Sequence, residues 1–398
     1  MFANTKKDKH RMVAKTIYGL EELLARELTD LGAHNVRMMN RSVEFYGDKQ
    51  LMYEANLWCR TATRILKPIL KFKTADEEEL YRRVLSIDWG KYLGLDQTFV
   101  VDAVISGSKF RNSLYVAQKV KDAIADRFRK ETGQRPSVDL KNPDIRVNIY
   151  IYQNECTIAI DSSGEPLFKR EYRGKAGKAP INEVLAAGIV LQSEWDRASS
   201  FVDAMCGSGT IVIEAALLAR NIAPGLTRKV YGFMNWPDYD PDLFKMIYEK
   251  ARKKVIPKLD FAIVGSDISS RQIQEASENA NQAGIGNDVV FKQSDIIDLV
   301  PPPPPGVVII NPPYGERLSA NDINNSYHSI GDAFKKSFTN YDAYVFTGNL
   351  AAAKHIGLRT SRRIEMYNGP IECRLLKFEM YKGTRKSKSP PYHNDKAT

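Results

Sequence analysis

Residues 307–314, VVIINPPY, limit what this chain can fold into more than any other stretch. Val307, Val308, Ile309 and Ile310 form an apolar run with no alternation, which suits a strand buried on both faces, as in a parallel sheet covered by helices. The two prolines that follow have no N–H and cannot extend a ladder, so the strand stops there and the chain is held rigid and extended. Asn311 then stands at the strand tip with a side-chain oxygen to offer, Pro312 with a free carbonyl and Tyr314 with a flat face. Those groups suit a planar base bearing an exocyclic amine. Two acceptors holding both N–H bonds would draw the lone pair out of conjugation and aim it at an electrophile.

Upstream, FVDAMCGSGT (201–210) reads as an apolar strand ending in Asp203, a turn through Gly207 and Gly209, and a helix opening at Thr210. Glycine lets the backbone turn tightly and approach a ligand. A dinucleotide fingerprint needs a third glycine where Val212 stands, and an acid about 20 residues on, so a nucleotide oxidoreductase is disfavoured. Two further strand-ending acids follow, Asp267 in IVGSDIS and Asp295 in FKQSDIID. Acids at successive strand tips converge on the ligand crevice of an open α/β sheet. Asp267 can accept from ribose hydroxyls and Asp295 from an adenine amine; for each alone, the competing reading is a helix N-cap.

Strand and helix patterns alternate from 181 onward: helices at 181–191, 210–220 and 271–283, strands at 200–204, 261–266, 289–292, 307–310 and 341–347. This predicts an α/β domain with a mainly parallel sheet. Ahead of it, a helix over 18–31, a loosely alternating strand over 36–45, strands over 100–105 and 146–151, and a helix over 114–129 with Leu114, Val120, Ile124 and Phe128 on its packed side predict an α+β region. Residues 161–180, rich in Gly, Pro and charge, read as a connection. The proline run 301–305 reads as a stiff connector rather than a ligand for a proline-binding module. The tail after 382 is predicted flexible, its charges touching RNA or only solubilising the end.

Of the formal +10, residues 1–175 carry +7, residues 176–380 carry −1 and the last 18 carry +4. The excess calls for an acidic partner outside the α/β part. Four scattered cysteines and five dispersed histidines suggest neither a disulfide framework nor a metal site, and no apolar run approaches a membrane span; a soluble cytoplasmic protein is expected. Nothing in the sequence fixes its oligomeric state.

DAMCGSGT, SDIS, QSDI and NPPY together resemble the motifs of Rossmann-like S-adenosylmethionine-dependent methyltransferases acting on exocyclic amines of nucleobases. RGKAGKAPINEVLAAGIV (173–190), DAMCGSGTIVIEAALLARNIAPG (203–225) and NPPYGERL (311–318) are similar, more narrowly, to the THUMP-domain RNA guanine-N2 methyltransferases, over about residues 10–382. The resemblance implies a ferredoxin-like region at 1–60, a THUMP RNA-binding domain at 60–160, a linker at 161–180, a Rossmann-like methyltransferase domain at 181–382 and a basic tail at 383–398. It implies S-adenosylmethionine held by Asn182, Asp203, Ala204, Cys206, Gly207, Gly209, Thr210, Asp267, Ile268, Asp295, Ile296 and Asn311. Catalysis would fall to Asn311, Pro312, Pro313 and Tyr314, without a metal, and Arg317 would contact a phosphate or form a surface salt bridge. Members often have Pro where Ala204 stands. The expected substrate is RNA, 23S ribosomal RNA in particular; the alternatives are tRNA guanine-N2 methylation, DNA adenine-N6 methylation, or an inactive RNA-binding assembly factor.

Overall fold

The computed structural model describes residues 9–173, 181–313 and 319–381. Its first part comprises β1 (His10–Lys15), α1 (Glu21–Asp30), β2 (His34–Met39), β3 (Ser42–Gly47), α2 (Lys49–Trp58), β4 (Arg64–Lys73), α3 (Glu77–Leu85), β5 (Thr98–Ser106), α4 (Ser113–Thr132), β6 (Ser137–Val138), β7 (Ile145–Tyr152) and β8 (Glu155–Asp161). The strands form one sheet in the order β2, β3, β1, β4, β8, β7, β5, β6. Strand β4 joins its two halves, pairing antiparallel with β1 through Val13↔Leu66 and with β8 through Leu66↔Asp161. Alternation decides which face is covered: Ile145, Val147, Ile149 and Ile151 of β7 are buried with apolar residues of α1 to α4, while the residues between them point the other way.

Two expectations are corrected here. Residues 36–45 are not one strand but parts of a hairpin, because Arg41 takes a left-handed conformation (φ 53°) and turns β2 into β3. Leu114 does not lie on the packed side of α4; it is 66% exposed, and Val116, Val120, Ala123, Ile124 and Phe128 form the buried stripe. The helix starts one turn before that stripe, at the Asn112 side chain, which accepts from the Tyr115 N–H at 3.1 Å.

The second part holds α5 (Glu183–Gln192), β9 (Ser200–Asp203), α6 (Thr210–Ala219), α7 (Pro241–Lys253), β10 (Ile263–Asp267), α8 (Ser270–Gln282), β11 (Val289–Gln293), β12 (Gly306–Ile310), α9 (Ala320–Ser337), β13 (Tyr341–Thr347), β14 (Arg362–Asn368) and β15 (Ile371–Glu379). Its sheet runs β11, β10, β9, β12, β13, β15, β14. The first five strands are mutually parallel and β15 is antiparallel to both neighbours. All five residues of β12 are buried, as an unalternating apolar run between two helical layers requires.

Three devices join the two parts. The insert between α6 and β10 brings Phe233 against Tyr53 of α2, ring centroids 4.3 Å apart, with Tyr231 and Phe244 around them. Arg60, after α2, donates to the carbonyl of Ile222 at 2.6 Å. The segment 161–173 is packed rather than a loose spacer: Arg170, 1% exposed, pairs with Glu214 of α6 and donates to the carbonyl of Arg60 at 2.6 Å, while the Tyr172 hydroxyl donates to Glu214 at 2.9 Å. Residues 174–180 of that stretch, and the tail from 382, lie outside the described residues. Among the described residues, no helix is long and apolar enough to cross a membrane.

Removing one partner of a buried ion pair leaves an uncompensated charge and costs about 3–5 kcal/mol, against about 1.5–3 kcal/mol for one hydrogen bond to a charged group. Glu214→Gln should therefore lower the unfolding midpoint more than Tyr172→Phe, and Lys169→Gln, which breaks the exposed Lys169–Glu165 pair, should leave it unchanged within about 1 kcal/mol. Denaturant titration of the three variants tests this ranking.

Candidate active site

Chain order in the second sheet runs outward from β9 through β10 to β11, then resumes on the other side at β12 and β13. The carboxyl ends of β9 and β12 therefore sit side by side where the winding reverses, which is where an open α/β sheet leaves a crevice. Asp203 pairs with Gly265 on one side and Ile309 on the other, so Asn311 emerges two residues beyond Asp203's own level.

The loop after β9 turns through two left-handed glycines, Gly207 (φ 52°) and Gly209 (φ 85°). At Gly209 a Cβ would also stand 3.0 Å from that of Ala276, so a larger residue would push α8 away from the loop. The loop is fixed from outside: the Cys206 N–H donates to the carbonyl of Ser266 at 2.8 Å, and Asn279 of α8 donates to the carbonyl of Ser208 at 3.0 Å. Ala204 is buried, so the absence of proline there leaves the turn intact. Cys206 is buried and its thiol is pushed well up by desolvation, which makes it packing rather than a nucleophile. Thr210 opens α6 and takes a hydrogen bond from Arg173.

Asp203 is 1% exposed, and its Oδ1 has no hydrogen-bond partner among the described residues. Burial raises its pKa to about 8; the N–H groups of Met205 and Val212 oppose the shift in part, and the Asp267 carboxylate adds to it. Asp267, at the tip of β10, accepts from the Gly207 N–H at 3.0 Å and from the Ser269 N–H at 2.9 Å. It clamps the glycine turn and does not cap α8, whose N-cap is Ser269. Ile268 beside it is 68% exposed. The Ser294 N–H donates to the carbonyl of Asp267 at 3.1 Å, which brings half-buried Asp295 to the same rim; its Oδ1 accepts from the Ile297 N–H at 3.1 Å, and Ile296 is buried beneath.

At the tip of β12, Asn311 Oδ1 is buried and also has no partner among the described residues. Pro312 is buried and Pro313 exposed; Tyr314 and Arg317 lie outside the described residues. Asn182 is the N-cap of α5, its Oδ1 accepting from the Leu185 N–H at 2.8 Å, so the helix itself accounts for that side chain. The structure thus gathers Asp203, Asp267, Asp295 and Asn311 on one rim and gives Asn182 a structural duty. Arg173 was not singled out from sequence: it bonds Thr210 and the carbonyl of Ile181 (3.1 Å) and lies 3.4 Å from Glu183, tying α5 to the start of α6. Only its place in a basic, glycine-rich stretch hinted at it. Among the described residues, no cluster of His, Cys, Asp and Glu is placed to hold a metal.

Two buried acceptors at adjacent strand tips without a partner among the described residues, beside a turn through two left-handed glycines, fit a ligand that brings its own donors. Comparison with known proteins bears on what that ligand is. Residues 170–377 match the RMKL-like methyltransferase domain, 74–161 the THUMP domain and 11–66 the RlmL ferredoxin-like domain. A candidate RNA methyltransferase of Synechocystis, slr0064, is 38% identical over 91% of this chain and 95% of its own. Ribosomal RNA large subunit methyltransferase K/L of Syntrophotalea carbinolica is 40% identical over 91% of this chain, which spans 52% of that longer protein. The crystal structure of SMU.472, a candidate methyltransferase complexed with SAH, superposes with a TM-score of 0.86 at 30% identity, over 95% of this chain and all of that one. A domain match over half its length and a relative similar along almost all of it place the chain in the RMKL-like methyltransferase family, with ferredoxin-like and THUMP domains preceding the methyltransferase domain.

Proposed function

We propose that this protein transfers a methyl group from S-adenosylmethionine to the exocyclic N2 amine of a guanine in RNA, and that the RNA is 23S ribosomal RNA. The observation that carries the reading is the buried, unpartnered Asn311 Oδ1 at a proline-stopped strand tip, one strand from the orphaned Asp203 oxygen. The names of slr0064 and of the Syntrophotalea large subunit methyltransferase, and the matched THUMP domain, support RNA over DNA.

The roles assigned are these. Gly207 and Gly209 leave room for the cofactor against the backbone, Asp203 faces its amino-acid end, Asp267 the ribose and Asp295 the adenine, with Ile268 and Ile296 as apolar walls. Bound S-adenosylmethionine supplies an electrophilic methyl on a sulfonium. Asn311 Oδ1 and the Pro312 carbonyl accept the two N–H bonds of the base amine and turn its lone pair towards that methyl, while Pro313 stiffens the support and Tyr314 stacks on the base. The base has to leave its stack to present the amine. No side chain need act as a strong base, because positioning supplies most of the acceleration: the N–C bond forms as the S–CH3 bond breaks, the thioether product S-adenosylhomocysteine would leave, and the cationic methylated amine loses its proton to water.

With tritiated cofactor at saturation and rRNA as acceptor, Asn311→Ala should lower the transfer rate by about 10²-fold or more. Equal rates would remove Asn311 from the mechanism. Label in DNA but not RNA would establish the adenine reading, and loss of an N2-methylguanine from rRNA in a deletion strain, read by mass spectrometry, would identify the target.

Asp203 predicts a proton linkage. Below a pKa of about 8 its carboxyl is neutral in the free protein, and facing an ammonium favours the carboxylate, so binding releases a proton. Cofactor affinity measured by calorimetry should then rise with pH between about 5.5 and 7.5, by up to about tenfold per unit, and the slope should vanish in Asp203→Asn.

A further inference from the structure

Asn311 Oδ1 and the Pro312 carbonyl can hold an amine, but two acceptors do not distinguish guanine from any other base that carries one. The neighbouring strand offers a donor. β13 pairs parallel with β12 through Ile310↔Val345, and Thr347, the last residue of β13, lies two residues past that pair, as Pro312 does on the β12 side. The loop after Thr347 therefore leaves the sheet on the same rim. Thr347 is fully buried, and its hydroxyl is hydrogen-bonded at 2.5 Å to that of Tyr327 of α9, itself fully buried in a layer that includes Ile310, Ile330 and Val345. The same Thr347 oxygen accepts from the Asn349 N–H at 2.9 Å. Two hydroxyls inside an apolar layer, satisfying each other and one N–H of the loop, fix where that loop begins.

A second contact sets the Asn349 side chain: its Oδ1 accepts from the Ala352 N–H at 2.9 Å. Only the oxygen of a carboxamide can accept, so the amide cannot be turned round. Its Nδ2 is left as a donor on a half-buried residue, with no acceptor among the described residues. Leu350 follows, 43% exposed. Neighbouring strands stand about 4.8 Å apart, so the acceptors at the β12 tip and this donor beyond β13 face a ligand side by side. The Watson–Crick edge of guanine carries an amine at one end and the O6 carbonyl at the other; that of adenine has a C–H at the end opposite its amine. A base drawn out of its stack is read on that edge, and a site with a donor there leaves it unpaired when adenine enters.

We infer that Asn349 selects guanine: its Nδ2 donates to O6 while Asn311 and Pro312 hold the N2 amine, with Leu350 as an apolar wall beside the base. The inference rests on the proposed guanine-N2 reaction and adds a contact that methyl transfer alone does not require. Two substitutions separate the donor from the cap. Asn349→Asp keeps an oxygen for the Ala352 N–H and replaces the donor by an acceptor; Asn349→Ala removes both. With saturating tritiated cofactor and ribosomal RNA from a strain lacking the protein, Asn349→Asp should lower kcat/KM for RNA by about tenfold or more, at least as far as Asn349→Ala, because two acceptors then face each other. Its S-adenosylmethionine affinity, read by calorimetry, and its unfolding midpoint should match wild type. Wild-type transfer by Asn349→Asp would reduce the residue to a cap and overturn the inference while leaving the reaction standing. A fall matched by an equal loss of cofactor affinity would mark a structural role and overturn it equally. Methylated adenine in the digested RNA, or label in DNA alone, overturns the reaction and this selection with it.

Discussion

The buried pair between Arg170 and Glu214 is the contact on which the arrangement of this molecule depends. Glu214 belongs to α6, the helix that opens directly after the glycine turn; Arg170 belongs to the segment arriving from the first sheet and also holds the carbonyl of Arg60. Arg60 in turn reaches back to the carbonyl of Ile222, just past α6. A closed circuit of charge and carbonyl therefore joins the N-terminal region, the connection and the cofactor-loop helix. Each member is buried, so each needs its partner, and none can shift without exposing another's deficit. The geometry between the two sheets is for that reason fixed by polar groups, with the Tyr53, Tyr231 and Phe233 stack adding apolar area to a joint whose register the circuit sets.

Within the second sheet the controlling constraint is different: two strand ends are prevented from finishing their hydrogen bonds. Gly207 and Gly209 lift the chain away after β9, and Pro312 and Pro313 stop it after β12. Asp203 and Asn311 are left with buried oxygens that nothing else in the described chain satisfies. Leaving a buried acceptor unmade costs about 1–3 kcal/mol. Two such costs at neighbouring tips concentrate on one rim the demand for donors from outside. The raised Asp203 pKa expresses the same demand electrostatically, because a carboxyl there stays neutral until something positive arrives.

This rim was legible in the sequence because its residues are local punctuation. A glycine pair, a double proline and acids closing apolar runs each act within a few residues, and the parallel sheet brings them together without further instruction. What sequence could not show depends on distant partners. Arg41 in a left-handed turn splits one alternating stretch into a hairpin, although arginine carries no turn signal. Leu114 fits the helical period but lies in the first turn of α4 and is exposed, ahead of the stripe that begins at Val116. Residues 161–173 look like a loose spacer by composition, yet Arg170 and Tyr172 are buried, because their charges and hydroxyl are matched by Glu214, 44 and 42 residues away. Asn182 caps α5 through its side-chain oxygen, a contact that only the placed helix start reveals.

Charge counting shows the same limit in another form. The N-terminal excess of cations follows directly from composition, but composition does not say which cations remain available. On the face of the first sheet turned away from α1 to α4, Arg11, Arg37 and Lys71 are committed to Glu44 and Glu155. Lys15 is set apart by being half-buried with no carboxylate in reach among the described residues, beside the Tyr150 ring from a strand three places away. A surface of paired charges can be carried at little cost, whereas an unpaired one beside a tyrosine is maintained against its own desolvation. The second part, close to neutral, is joined to that sheet through Arg170 and Glu214, so the charge imbalance between the two parts is carried across a joint whose own charges are paired.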